Sequence, residues 1–144
     1  MTLHSFQNIH REVVLEDHLV GQLVADQSYE ERAPEDYDRA SALDRQLVLR
    51  FVKETQPEEW AKLETHYITS AEAEFFKNLE KALKSHSTLD VLRNSFKMVP
   101  GIKFALCYFK PASALEPKRV EEFEANILSV IRQVSLQPQI RERD

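Results

Sequence analysis

One apolar run limits what this chain can fold into more than any other stretch. Residues 102–109 read IKFALCYF, and the run is bounded by Pro100-Gly101 before it and Lys110-Pro111 after it. A short apolar segment between two turn signals is typical of a strand that is buried on both faces. Such a strand needs cover on both sides, so we predict that the preceding helices pack onto it.

Most of the remaining chain shows apolar residues at the three- and four-residue spacing of amphipathic helices. Residues 1–10 are expected to be irregular, and 26–38 form a polar loop. Short polar side chains that can cap a helix precede three of the helical segments: Asp38 or Ser41, then Thr69, then Ser87. The spacing predicts helices over residues 11–25, 43–54, 57–67, 70–84, 88–96 and 117–125.

The stretch after the last of these helices supports two interpretations. Val120, Phe123, Ile127 and Ile131 continue a helical stripe, whereas the alternating residues Leu128, Val130, Val134 and Leu136 are typical of a strand. The pattern alone leaves both open. The predicted class is therefore α+β, mostly helical, with five to six helices packed on a small sheet whose strands lie near 102–109 and 128–136.

Composition excludes several classes of function. The 144 residues fit a single domain spanning 1–144, and no run approaches the length of a membrane helix. No export signal is visible, so we expect a cytoplasmic protein with no membrane partner. The net charge is −5 without a basic stripe, which argues against a stand-alone DNA-binding module. With only two glycines the chain has no phosphate loop, and its only cysteine, Cys107, is expected to be a small core residue.

Several short segments, in this order along the chain, resemble the N-terminal region of the R subunit of type I restriction endonucleases (the HsdR family). The most distinctive is TQPEEW at 55–60, followed by YFKPAS at 108–113. The weaker ones are LEDHLV at 15–20, PEDYD at 34–38, ALD at 42–44, EAN at 124–126 and RQV at 132–134. One departure is Ser95, where the family tends to have glycine. The resemblance favours a strand rather than a helix after residue 126.

The resemblance implies that the chain is an incomplete nuclease domain of the PD-(D/E)xK type. The family is an ATP-dependent, site-specific endonuclease of restriction-modification defence that translocates along foreign DNA and cleaves it. It works with methyltransferase and specificity subunits and uses Mg²⁺ and ATP. Its strand bearing Asp and its strand bearing Glu-x-Lys, and its helicase motor, have no counterpart in these 144 residues. We therefore expect no cofactor and no metal site in this piece, and no cleavage of DNA by it alone.

Three residues are candidates for a role in the complete family protein. Glu16 matches a leading helix from which, in this class of nuclease, an acid reaches the metal site; the plainer alternative is a solvated helix face. Arg132 in the last strand and Lys110 at the end of the apolar run are candidate phosphate contacts. Their plain alternatives are an ordinary ion pair and a solvated lysine.

Another interpretation belongs to a different functional class. The chain is then a stand-alone helical interaction module that docks on the methyltransferase and specificity subunits. That interpretation requires an exposed apolar patch.

Overall fold

The computed structural model describes residues 3–98 and 101–132, with side chains from residue 11 onward. The chain divides into two compact units. Unit 1 combines residues up to Asp44 with those from Ile127, and unit 2 is Arg45–Asn126. Within the described ranges, no helix has the length and apolar character needed to cross a bilayer.

The described residues form six α-helices, four short strands and one 3₁₀ turn, which confirms the predicted α+β class with mostly helical content. The elements are α1 Leu3–Asp26, β1 Glu30–Arg32, the 3₁₀ turn Pro34–Asp36, α2 Arg45–Thr55, α3 Pro57–His66, α4 Ala71–Ser85, α5 Thr88–Asn94, β2 Phe96–Met98, β3 Ile102–Phe104, α6 Pro117–Glu124 and β4 Ser129–Ile131.

Unit 1 is built from α1 and a parallel pair of strands. β1 pairs with β4 so that Glu31 lies opposite Val130. The prediction of a loop over 26–38 was wrong at β1, because a Glu-Glu-Arg segment has little strand propensity and forms a strand only through pairing with a distant partner. Residues 3–10, expected to be irregular, belong to α1. They contain neither proline nor glycine, so nothing local stops the helix.

Unit 2 has an aromatic core centred on Phe75, which is fully buried. Its ring centroid lies 5.5 Å from that of Trp60, 5.5 Å from Phe96 and 5.2 Å from Phe104. These contacts join α3, α4 and the β2–β3 hairpin, and tilted or edge-on ring pairs at this separation are favourable. The buried hydrophobic residues of this unit are Leu47, Phe51, Val52, Trp60, Leu63, Phe75, Phe76, Leu79, Val91, Phe96, Met98, Ile102 and Phe104.

The β2–β3 hairpin corrects two predictions. Phe96 was placed on the fifth helix, but α5 ends at Asn94 and Phe96 pairs with Phe104 across the hairpin. The predicted two-faced burial of β3 was also wrong, since Ile102 and Phe104 are buried while Lys103 between them is exposed. The hairpin covers the core with one face only, and the outward face carries lysine.

The predicted strand over 102–109 ends at Phe104. Beyond it, side-chain amides take the hydrogen bonds that a neighbouring strand would make. The amide of Gln56 donates to the carbonyl of Ala105 (2.8 Å) and accepts from its N–H (2.7 Å). The amide of Asn126 does the same for Tyr108, at 2.6 and 2.8 Å. Because these backbone groups are already satisfied, the segment needs no sheet partner.

Of the three predicted helix caps, one is confirmed and two are wrong. Ser87 caps α5 as predicted, accepting from the N–H of Asp90. α2 begins only at Arg45, so neither Asp38 nor Ser41 caps it. The N-cap position of α4 is Ser70 rather than Thr69, and its side chain makes no capping bond. β4 lies within the predicted strand 128–136, and the part from 133 onward lies outside the described residues.

The role of the Asn126 amide can be tested by replacing it with a carboxyl group, which is charged near neutral pH. In Asn126→Asp a carboxylate faces the Tyr108 carbonyl, so we expect a loss of about 1–3 kcal/mol in the free energy of unfolding near neutral pH. That contact disfavours the charged form and raises the pKa of the introduced carboxyl. The Asn126→Asp variant therefore keeps its stability at a pH below the carboxyl pKa of the unfolded chain. It loses that stability as the pH rises through the higher carboxyl pKa of the folded chain.

Urea unfolding followed by the fluorescence of Trp60, the only tryptophan, measures this across pH. Asn94→Asp is the control, because Asn94 is exposed and its side chain has no hydrogen bond within the described residues. Equal losses in the two variants would contradict the proposed role of the Asn126 amide.

Candidate functional site

Glu16 lies on the packed side of α1. It is four residues before Val20, which is buried, and residues at this spacing share a helix face. The Glu16 side chain is itself half-buried, unlike the exposed Glu12 one turn earlier. The carboxylate is therefore held at the face where α1 meets the rest of unit 1. This position differs from the fully solvated one that the sequence left open.

Arg132 follows β4 directly, and the alternation along the strand places it on the same face of the sheet as Val130 and Glu31. Its Nε donates to Glu31 Oε1 at 2.9 Å, and its Nη1 donates to Asp17 Oδ1. The hydrogen bond that Arg132 donates to Asp17 raises the pKa of Arg132 above its ordinary value, and the charge of Glu31 adds to this. One guanidinium thus links α1, β1 and the end of β4.

This arrangement bears on the candidate phosphate contact. Two carboxylates already occupy the hydrogen-bonding fork of Arg132, so an incoming phosphate must displace them and overcome their charge. Sequence reasoning missed both partners. Asp17 could have been suspected from its place beside Glu16, whereas Glu31 becomes a neighbour only through strand pairing across 101 positions of sequence.

Lys110 lies in unit 2, in the irregular segment that follows β3. It is exposed and forms no ion pair with the residues that the structure describes. Phe109 beside it is also exposed, at 59%. The geometry at Lys110 is that of a solvated side chain at the edge of the segment.

The other singled-out side chains are structural. The Cys107 thiol is half-buried, with its Sγ 3.7 Å from the carbonyl oxygen of Leu92. Burial raises the pKa of the Cys107 thiol, which lowers its thiolate fraction and its nucleophilicity. Trp60 is 5% exposed and its Nε1 donates to Glu64 Oε1 at 2.6 Å, so the indole ring is part of the core of unit 2.

Metal ligation needs converging donors. Among residues 11–98 and 101–132, whose side chains the structure describes, no three His, Cys, Asp or Glu side chains are placed so that they could hold a metal ion. Asp17 and Glu31 converge, but on Arg132. The residues present do not by themselves fit the Mg²⁺ that the resemblance implies.

No protein-family model matches this chain. No curated protein and no solved structure is significantly similar to it either.

The pairing of Arg132 with Asp17 and Glu31 can be tested by mutation. Because two carboxylates occupy its guanidinium, we expect Arg132→Ala to leave the affinity of the chain for duplex DNA, and its salt dependence, unchanged. Fluorescence anisotropy of labelled DNA across salt concentrations measures both. A weaker affinity with a salt slope lower by about one would instead identify a phosphate contact.

The double variant Asp17→Asn with Glu31→Gln is the matched comparison. It releases the guanidinium, so we expect it to bind DNA more tightly than the unchanged chain. Adding Arg132→Ala to this double variant should abolish the gain.

Proposed function

We propose that this chain is the N-terminal part of a type I restriction R subunit and forms the scaffold on which a PD-(D/E)xK nuclease centre is completed. In that role it serves a complex with methyltransferase and specificity subunits that cleaves unmodified DNA. The chain alone is not catalytic in this proposal. Glu16 would be a supporting acid of the completed centre, and Arg132 and Lys110 would lie near the path of the DNA.

The backbone of Ser95 is the observation that carries the proposal. Its φ of +64° and ψ of −176° lie in a region that is essentially reserved for glycine. The resemblance independently expects glycine at this position. A local departure from the family pattern thus coincides with a backbone conformation that serine adopts only under strain.

Contacts between the resembling segments support the same proposal. Gln56 belongs to TQPEEW, and its amide binds the backbone of Ala105 just before YFKPAS. Asn126 belongs to EAN, and its amide binds Tyr108, the first residue of YFKPAS. The three segments that carry much of the resemblance therefore build one local structure in unit 2.

The sheet of unit 1 supports a scaffold role. Parallel sheets are usually covered on both faces and contain more strands, yet β1 and β4 pair only with each other among the described residues. Val20 is the one buried hydrophobic residue described in this unit. In the family, strands bearing Asp and Glu-x-Lys follow the strand that β4 matches. Such strands would supply the missing cover and the carboxylates and lysine that Mg²⁺-dependent cleavage requires.

The exposed surface of α1 favours a second candidate, the interaction module. Five apolar side chains on this helix are between 40% and 58% exposed, which is unusual for one short stretch. The partner would be the methyltransferase core of the restriction complex. The exposed residues are Val13, Val14, Leu15, Leu19 and Val24.

Two measurements test the first candidate. The gene is read past the codon of Asp144 in all three frames, and the proposal requires an apolar run with Asp followed by Glu-x-Lys. A stop codon with no such motif in any frame would refute it. The 144-residue chain is also incubated with supercoiled plasmid and Mg²⁺, and we expect no nicking. Nicking that EDTA abolishes would show a centre within the chain itself.

A pull-down with a tagged chain tests the second candidate. If α1 docks on the methyltransferase core, Leu15→Asp with Leu19→Asp should lose the methyltransferase and specificity subunits. Ile68→Asp should retain them, because Ile68 is 86% exposed but lies in unit 2. Capture of the subunits by the unchanged chain and by both variants, or by none of these three proteins, would contradict docking through α1.

Strain at Ser95 has a measurable consequence for stability. We expect Ser95→Gly to raise the free energy of unfolding by about 1 kcal/mol, since relief of strain outweighs the added freedom of glycine in the unfolded chain. Ser70→Gly, at a position with φ of −125°, should bring no such gain. Urea unfolding monitored by Trp60 compares the two variants, and a loss of stability in Ser95→Gly would contradict the strain.

A further inference from the structure

A cavity of about 750 Å³ opens between α4, α5 and β2 in unit 2. Its size lies within the range of small-molecule sites. The lining includes the apolar residues Ala82, Val91 and Phe96, while the other lining residues are polar or charged. Ser95, whose backbone is strained, is among the lining residues. All of its lining residues belong to unit 2, whereas the carboxylates and the guanidinium described above belong to unit 1.

Charge in the cavity is predominantly positive. Lys81 on α4 and Lys97 on β2 line it, against the single carboxylate of Asp90. Within the described residues neither ammonium group has an ion-pair partner, and both lysines are exposed. Two unpaired ammonium groups suit a phosphate monoester, which carries nearly two negative charges at neutral pH.

Hydrogen-bonding groups complement these charges. The amide nitrogen of Asn78 is committed to the carbonyl of Glu74 at 2.8 Å, so the amide oxygen remains as an acceptor. Asn94 and the hydroxyls of Ser85 and Ser95 add further donors and acceptors to the lining. An acceptor beside hydroxyls fits a ligand that carries hydroxyl groups of its own.

We propose that this cavity binds a sugar phosphate group, with the phosphate at Lys81 and Lys97 and the sugar hydroxyls at the asparagine and serine side chains. The apolar residues of the lining contact the carbon face of the sugar. Such a group occurs in free sugar phosphates and, as a singly charged diester beside a free 2′-hydroxyl, in the backbone of an RNA strand. The chemistry that the two sources share is an anionic phosphate next to a ribose hydroxyl.

Titration of the ¹⁵N-labelled 144-residue chain with ribose 5-phosphate, followed by amide shifts, tests the proposal. We expect saturable shifts confined to residues 78–97, and weaker binding of ribose or inorganic phosphate alone. Lys81→Gln with Lys97→Gln should weaken binding about tenfold or more, because two charge-assisted contacts are lost. Ser85→Trp, which fills the cavity without changing charge, should abolish binding.

The matched control is Lys77→Gln with Lys84→Gln, which removes two exposed lysines of the same helix outside the cavity lining. It should bind like the unchanged chain. No saturable shift in residues 78–97, or equal weakening by both lysine pairs, would overturn the proposal.

A short single-stranded RNA oligonucleotide, which keeps a free 2′-hydroxyl on each sugar, distinguishes the two sources of the ligand. Competition with ribose 5-phosphate at the same amides identifies a nucleic-acid strand as a source. Binding of ribose 5-phosphate without such competition identifies free sugar phosphates.

Discussion

Two side-chain amides fix the segment that follows β3 in unit 2. Gln56 and Asn126 each make a paired hydrogen bond to the backbone of residues 105–108, where a strand would otherwise need a neighbour. A buried backbone group left without a partner costs free energy comparable to a lost hydrogen bond. The amides therefore allow the chain to leave the hairpin after Phe104 and still lie against the helices. Tyr108, held in this way, brings its ring to 5.8 Å from that of Phe51.

The two units differ in how much of their stability the described residues can explain. Unit 2 has a continuous aromatic and aliphatic core around Phe75. In unit 1, the described contacts are mainly polar: the parallel strand pair, the Arg132 ion pairs, and a bidentate pair of Arg32 with Asp44 at 2.8 and 3.2 Å. Exposed ion pairs contribute little to stability, whereas apolar burial contributes most of it. The proposed scaffold role, in which further strands or a partner cover unit 1, would account for this difference.

The proposed sites also follow from packing rather than from composition. The chain is acidic as a whole, with a net charge of −5, yet the cavity of unit 2 collects two lysines and one carboxylate. In unit 1 the opposite holds, since the candidate Arg132 is enclosed by acids. Net charge alone predicted weak DNA binding, and it could not indicate which individual cations are free to bind an anion.

The sequence by itself determined the features whose causes lie within a few residues. Pro57 and Pro117 begin α3 and α6, and Ser87 caps α5 through a residue three positions away. Tertiary structure decided the pairing of β1 with β4, the transfer of Phe96 from helix to hairpin, the end of β3 and the acids around Arg132. The reason is physical: these outcomes depend on hydrogen bonds and charges contributed by residues far apart in sequence, which local periodicity does not encode.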